Sequence, residues 1–278
     1  MVGAGRPRWL PAFVTVVGVD AARGAYAGAG PGWAADASLV YRPLARHLVA
    51  RSPIPLVGKL VLDAGAGTGA AGSVLADLGV TVVESDCEPT MLEHGRAHRS
   101  PAAAADVAAL PFRAGVFDAV VAAFVLNHVA DASAALAELA RVTRPRGAVL
   151  ASTFAASRSP AKEAFDTVAG RHGWRSPAWH AVVSARAAAF STIEQAQRAA
   201  SAAGLADAEV LESAIDVGVD DAESVVRYRL GMPQYTAWLA GLDAAARRRV
   251  VADATSAIEA LGEPFHPLVI ELVARSHR

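Results

Sequence analysis

The chain has 278 residues, of which 53% are hydrophobic and 19% charged, which permits a sizeable core and excludes general disorder. A formal net charge of -1 gives no electrostatic basis for binding nucleic acid or an anionic membrane, and we expect neither as a partner. The single cysteine, Cys87, excludes a disulfide within the chain and a cysteine-based zinc site.

The first residues loosely resemble a secretory signal, because Arg6 and Arg8 precede an apolar run from Trp9 to Val19. Pro11 interrupts that run, and no clean cleavage site follows it. No apolar stretch approaches the ~20 residues that a membrane span needs. We therefore expect a cytoplasmic protein, either a monomer or a homodimer.

The first predicted helix covers residues 36–51, with Asp36 as its N-cap. Short apolar strands then alternate with helices, and this alternation predicts parallel strands with helices on both faces of the sheet. A turn at 144–147 precedes the fifth strand. The predicted strands cover residues 59–64, 80–84, 102–105, 116–124 and 148–154, and the helices between them cover 69–78, 89–99 and 131–141.

The regular alternation ends after Phe154. Residues 156–190 hold two tryptophans and two histidines and are expected to be rich in loops. Ser191 and Glu194 fit a capping box that opens a helix ending near Gly204. The remaining predicted elements are strands over 208–217 and 267–274 and a helical region over 221–262.

A glycine-rich turn follows the first strand of the alternating region, in the segment Val61-Leu62-Asp63-Ala64-Gly65-Ala66-Gly67-Thr68-Gly69. Glycine allows a positive φ and a close approach of the backbone to a ligand. The helix that begins here offers free N–H groups and a partial positive charge to a carboxylate or phosphate. Asp63, at the strand end, is placed to accept hydrogen bonds from a ligand ammonium or from the turn amides.

Acidic residues also follow the second and third strands. A carboxylate after the second strand can bind both ribose hydroxyls of a nucleoside, and Glu84 and Asp86 both compete for this role. After the third strand, Asp106 is placed to meet an adenine amino group and Val107 to cover the ring face. The pattern predicts a nucleoside-binding edge of the sheet.

These residues, with later ones, resemble the class I S-adenosylmethionine (SAM)-dependent methyltransferases, in the branch of the ubiquinone and menaquinone methyltransferases. The first family motif is matched by residues 62–69, and the ribose-binding acid by Asp86, which is followed by Pro89, Met91 and Leu92. That register selects Asp86 over Glu84. Further matches are Asp106, Leu110-Pro111-Phe112, Phe117-Asp118-Ala119-Val120, Phe124-Val125-Leu126-Asn127-His128 and Arg141-Val142-Thr143-Arg144-Pro145-Arg146-Gly147, where Arg146 replaces a usual glycine.

The resemblance implies an α/β fold, a Rossmann-like seven-stranded sheet of order 3-2-1-4-5-7-6, with helices on both faces and a helical cap. It also implies the cofactor SAM, with S-adenosylhomocysteine (SAH) as product. The expected parts are an N-terminal lid or helical segment (1–55), a SAM-binding core (56–155) and the rest of the core (156–278), with cap insertions at 156–190 and 221–262. The expected cofactor-binding residues are Asp63, Gly65, Gly67, Asp86, Cys87, Met91, Asp106, Val107, Phe124 and Tyr41.

His128 is the candidate catalytic residue, because it follows the fourth strand at the edge where open α/β sheets bind ligands. Its imidazole can take the proton of an acceptor hydroxyl or amine before attack on the methyl group. A purely structural histidine is the competing interpretation. His172, Trp174, Trp179, His180, Tyr228 and Tyr235 are further candidates for lining an acceptor pocket.

The predicted function is therefore methyl transfer from SAM to a small-molecule acceptor, a specialised metabolite or a quinone-like compound, and no metal constellation stands out. Two alternatives remain. A protein of this fold without methyl transfer, such as a cyclase or a binding or regulatory subunit, keeps the same cofactor-binding residues. An NAD-dependent oxidoreductase is also compatible with the glycines, since Ala70 completes a tolerated dinucleotide pattern.

Overall fold

The computed structural model describes residues 24–94 and 100–277. The signal-like run before residue 20 and the end of the predicted helix 89–99 lie outside the described residues. Seven strands form one sheet: β1 (Leu60–Ala64), β2 (Thr81–Asp86), β3 (Ala102–Ala104), β4 (Phe117–Ala123), β5 (Thr143–Phe154), β6 (Glu209–Ala214) and β7 (Leu268–Arg275).

The sheet has the order β3-β2-β1-β4-β5-β7-β6, as predicted. Strands β1 to β5 pair in parallel, and β7 runs antiparallel to both of its neighbours. The carboxyl ends of β1 to β5 therefore lie at the same edge of the sheet. The helices are α1 (Gly30–Gly32), α2 (Ser38–Ala50), α3 (Ala70–Asp77), α4 (Pro89–Glu93), α5 (Ala132–Val142), α6 (Pro160–Arg171), α7 (Ala178–Ala189), α8 (Ile193–Ala202), α9 (Ala222–Leu230), α10 (Pro233–Ala240) and α11 (Ala244–Glu259), with a π-helical turn at Trp33–Ala37.

Alternate side chains of the strands face opposite helical layers, as the two-residue strand period requires. On β7, Ile270 and Leu272 pack with α5 and α8, whereas Val269 faces the opposite side. Helices α2 and α3 cover β1, β2 and β4 on that opposite side. Helices α6, α9, α10 and α11 continue this layer around Phe165 and Tyr235.

The loop-rich structure expected over residues 156–190 is wrong, because two helices, α6 and α7, occupy most of it. Helix α7 is rich in alanine, the residue with the highest helix propensity. Val183 is the buried residue of that helix, so no apolar periodicity marks it in the sequence.

Two cap assignments also need correction. The capping box of α8 joins Thr192 and Gln195, one residue later than expected, since the Thr192 hydroxyl accepts from the Gln195 amide at 3.2 Å. Asp36 is not an N-cap, because the helical segment begins six residues earlier, at Gly30, and passes through the π-helical turn. The Asp36 carboxylate instead accepts a hydrogen bond from Arg227 at 3.0 Å.

The predicted turn at 144–147 belongs to β5, which begins at Thr143. Arg146 lies there at φ +64°, where glycine is usual in the family that the sequence resembles. Its amide donates to the Ser276 carbonyl at 2.7 Å, which holds this strained residue beside the strand end of β7.

Helix α2 is fastened to the sheet through a buried carboxylate. Glu271, on β7, is fully buried and accepts hydrogen bonds from His47 at 2.9 Å and from Arg51 at 3.1 Å. Separating α2 from β7 would remove both partners of the buried Glu271 carboxylate and leave its charge uncompensated. This contact therefore resists separation of the helix from the strand.

Candidate active site

A cavity of about 660 Å³ opens at the carboxyl ends of β1 to β4, the edge at which open α/β sheets bind ligands. It brings together the residues that the sequence singled out for cofactor binding and catalysis. All eleven of them line it: Asp63, Gly65, Gly67, Asp86, Cys87, Met91, Asp106, Val107, Phe124, Tyr41 and His128.

The turn after β1 forms the floor of the cavity. Gly65 has a φ of +75°, and a Cβ there would lie 1.8 Å from Cγ2 of Val125. Gly67 has a φ of +53° and approaches the Met91 methyl group. At Gly65 any other residue would combine a left-handed conformation with a clash, whereas at Gly67 the left-handed backbone alone favours glycine.

Two carboxylates follow one another on β2, and the structure separates their surroundings. Asp86 lines the cavity, and its carboxylate accepts from the amides of Gly67 and Glu88, each at 2.8 Å. Glu84 is 3% exposed and lies beneath α3, where a Cβ on Gly72 would meet its Oε1 at 2.4 Å. The geometry therefore favours Asp86 over Glu84 as a ligand-facing acid.

The ends of β1 and β3 add two further acids to the cavity. Asp63 is 1% exposed overall and reaches the cavity from the end of β1. Asp106 accepts from the Ala108 amide at 2.9 Å and lies beside the buried side chain of Val107. Carboxylates thus gather at the β1–β3 end of the cavity.

Aromatic side chains form the wall nearest β4. Phe124 follows β4 with a φ of +58°, an uncommon conformation for a bulky residue. Its ring contacts the Tyr41 ring edge-on, with 5.2 Å between the ring centroids, and the Tyr41 ring stacks on Trp33 with 4.7 Å between centroids. From this strained position the Phe124 side chain, 6% exposed, lines the cavity.

His128 lies beyond that wall, in the loop after β4. Its Nε2 atom is 3.3 Å from both the Tyr26 hydroxyl and the Asn127 side-chain nitrogen. Its Nδ1 atom is buried and has no hydrogen-bond partner among the described residues. Burial, with smaller contributions from nearby Arg186 and His180, lowers the pKa of His128 to about 4. The imidazole is therefore neutral at pH 7, so a ring nitrogen can accept a proton, and the same burial makes it a weaker base than an exposed histidine.

The lowered pKa of His128 makes a contribution to stability that depends on pH. Between about pH 6.5 and 4 the unfolded chain binds this proton and the folded chain does not, so stability falls as the pH falls. We expect wild type to lose up to about 3 kcal/mol more than His128→Gln across this window. Urea unfolding at several pH values measures the difference. His266→Gln, at an exposed histidine, is the control and should keep the wild-type slope.

Several residues line the cavity although nothing in the sequence predicted them there. Tyr26 and Trp33 reach the cavity from the segment before α2, while Val183 and Arg186 reach it from α7. They come from segments without a motif and are brought in only by tertiary packing. Six residues suggested for a pocket do not line this cavity: His172, Trp174, Trp179, His180, Tyr228 and Tyr235.

The strand order, the antiparallel last strand and the glycine turn after β1 define the Rossmann-like fold of class I methyltransferases. Residues 62–151, which run from β1 into β5, match the family model of the methyltransferase domain. No helix within the described ranges has the length and apolarity to cross a bilayer.

Comparison with known proteins gives sequence matches to part of the chain and structural matches to most of it. The chain is 39% identical over 140 residues to a demethylmenaquinone methyltransferase of Mycolicibacterium vanbaalenii. That match spans 50% of this chain but only 60% of the relative. A phosphoethanolamine N-methyltransferase 2 of Haemonchus contortus, solved with SAH, covers 84% of this chain and 52% of its own, at TM-score 0.56 and 20% identity. The cyclase SpnF, at TM-score 0.50 and 20% identity, covers 84% and 81% of the two chains and shares the fold.

Proposed function

We propose that this protein transfers a methyl group from SAM to a small apolar acceptor, a specialised metabolite or a quinone-like compound. The observation that carries the proposal is the meeting of the expected cofactor residues and His128 around one cavity. The methyltransferase domain over residues 62–151 supports it independently.

The residues around the cavity suit the chemistry of SAM. The glycine turn with Asp63 would hold the amino-acid end, because backbone amides favour a carboxylate and an aspartate favours an ammonium group. Asp86 would accept the ribose hydroxyls, and Asp106 the adenine amino group. The adenine ring would lie among the apolar side chains of Met91 and Val107.

SAM, when bound, supplies a methyl group on a positively charged sulfonium. The protein's own contribution is to align the acceptor with that methyl group and to exclude water from it. Neutral His128 would take the proton that the acceptor loses, and Tyr26 would orient the imidazole through Nε2. Phe124 and Tyr41, two of the expected cofactor-binding residues, would form with Trp33 an apolar wall that borders both the cofactor and the acceptor.

An acceptor with an apolar ring fits this wall. The curated relative named as a demethylmenaquinone methyltransferase supports the quinone-like class within the proposal. The matched segment covers 60% of that relative, so we extend from it the class of acceptor and not its identity.

The proposal is tested by calorimetry of the pure protein with SAM and with SAH, followed by incubation with labelled SAM and a panel of quinols and phenols. We expect heat with both compounds, a labelled product and release of SAH. A cyclase or a regulatory subunit would bind SAM and release no SAH. An NAD-dependent enzyme would bind nicotinamide cofactors instead.

Asp86→Ala should weaken SAH binding by about 10- to 100-fold, because it removes the charged acceptor of the ribose hydroxyls, a net loss of about 1.5–3 kcal/mol. Titration calorimetry with SAH measures the change. Glu88→Ala is the matched control, since Glu88 lines the same cavity and its carboxylate accepts from Thr90. Unchanged SAH affinity in Asp86→Ala would contradict the assignment of this residue.

A further inference from the structure

Lys162 is a lysine in a chain whose basic residues are nearly all arginines. Lysine and arginine together number 26, and Lys59 and Lys162 are the two lysines among them. Arginine stays charged in proteins, whereas a desolvated lysine can lose its proton and become a nucleophile. Lys162 does not line the cavity of the candidate active site, so the proposed methyl transfer does not use its amine.

The position of Lys162 in the fold disfavours its charged form. It is the third residue of α6, where the free amides of the first helical turn create a partial positive charge. The residue is half-buried, and the Arg229 guanidinium of α9 adds a second positive charge to its surroundings. Burial first, and Arg229 second, lower the pKa of the Lys162 amine to about 7.

Asp166, one turn further along α6, opposes this shift, but its carboxylate is already engaged. Its Oδ1 atom accepts from Arg229 at 2.8 Å and from the Tyr235 hydroxyl. His180 of α7 lies in the field of the same Arg229–Asp166 pair. Because the acid is paired with a buried arginine, its attraction for a charged Lys162 is weakened.

The Lys162 amine also lies over an aromatic ring. Its Nζ atom is 3.8 Å from the ring centroid of Phe154, the last residue of β5. The face of such a ring attracts a positive nitrogen that has lost its water. An iminium made from this amine keeps its positive charge over the ring, whereas an amide made by acylation is neutral and loses that contact. The surroundings therefore favour reaction with a carbonyl compound over acylation.

From this arrangement we propose that Lys162 is a second reactive site, whose amine condenses with an apolar aldehyde or ketone to form a Schiff base. The Nζ atom bonds to the carbonyl carbon, its two protons leave with the carbonyl oxygen as one water molecule, and a C=N bond remains. That nitrogen then takes a proton from solvent to become the iminium. Residues 156–158, just before α6, are exposed and offer the carbonyl compound an approach from solvent. The inference does not rest on the proposed methyl transfer, because the site is separate from the cavity.

The experiment treats the folded protein with 2-naphthaldehyde and sodium cyanoborohydride, which reduces a Schiff base to a stable amine. Peptide mass spectrometry then locates the label, with Lys59 as the reference in the same chain. At pH 7 about half of the Lys162 amines are unprotonated, against about 1 in 2,500 for a lysine in an unstructured peptide. We expect Lys162 to be labelled at least about tenfold faster than Lys59, with half of its maximal rate reached near pH 7.

Two matched variants and a second reagent complete the design. Lys162→Arg keeps a cation over Phe154 and should take up no label at position 162. Lys59→Arg should be labelled at Lys162 as wild type is. Far-UV circular dichroism and urea unfolding show whether each variant is folded. N-acetylimidazole, an acyl donor, is applied to wild type to compare acylation with Schiff-base formation.

Equal labelling of the two lysines at pH 7 would overturn the proposal. So would labelling of Lys162 that rises only above about pH 9, because its amine would then behave as an ordinary lysine. If N-acetylimidazole acetylates Lys162 but the aldehyde does not label it, the assignment to carbonyl compounds is wrong. None of these results bears on SAM binding, which the calorimetry with SAM and SAH tests separately.

Discussion

Gly65→Ala is expected to abolish SAH binding and to destabilise the protein by about 2–5 kcal/mol. The left-handed backbone of residue 65, at φ +75°, accounts for about 1–2 kcal/mol of this loss. The methyl group would also be built 1.8 Å from Cγ2 of Val125, so the turn must shift. Overpacking of this kind costs about 1–3 kcal/mol more, and the shift moves the floor of the cavity. Urea unfolding and calorimetry with SAH measure the two effects.

Two further variants separate the causes. Gly58→Ala has nearly the same backbone strain, at φ +72°, with nothing within 4 Å of the added Cβ. It should lose only about 1–2 kcal/mol and bind SAH normally. Adding Val125→Ala to Gly65→Ala should recover part of the loss, because it removes the clashing methyl group. If Gly58→Ala and Gly65→Ala prove equally destabilised, the close approach at Gly65 does not matter.

His128→Gln is expected to lower kcat by about 10²- to 10⁴-fold, the usual contribution of a positioned general base. The affinity for SAH should stay within a factor of about 2, because none of the proposed contacts to the cofactor involves His128. The measurement is release of SAH with the acceptor found in the screen, together with calorimetry. Glutamine keeps the polar contact toward Tyr26 and removes the basic nitrogen.

His180→Gln provides the comparison for the loss of a histidine near the site. His180 belongs to α7, influences the pKa of His128 and does not line the cavity. It should retain most of the wild-type kcat. A His128→Gln variant with unaltered kcat would leave the imidazole as a structural group and would assign proton removal to solvent.

The sequence predicted the sheet and the cofactor side of the cavity because both depend on local patterns. Each acid there lies at the carboxyl end of its own strand or just after it, and parallel strands bring such positions to one edge. Asp63 and Asp106 are therefore readable from strand ends alone, whereas Asp86 was chosen over Glu84 only through the resemblance. The antiparallel β7 and the strand order followed from resemblance and not from periodicity.

The part of the cavity around His128 could not be predicted, because it is assembled from segments that are distant in the sequence. Arg186 meets His128 across 58 positions in the chain, and Tyr26 meets it across 102. Helix α7 lacks an apolar stripe, so even its existence was missed. The positive φ of Phe124 also has no local signal, since bulky residues rarely adopt it.

The buried carboxylate of Glu271 limits the movement of helix α2, which forms part of the cavity wall. Helix α2 carries Tyr41 and Ala45 in the cavity wall, and His47 and Arg51 of the same helix bind Glu271 on β7. Movement of α2 away from the sheet would have to break that contact, so α2 is a fixed part of the cavity wall. Cross-linking α2 to β7 should therefore leave the rates of substrate entry and product release unchanged.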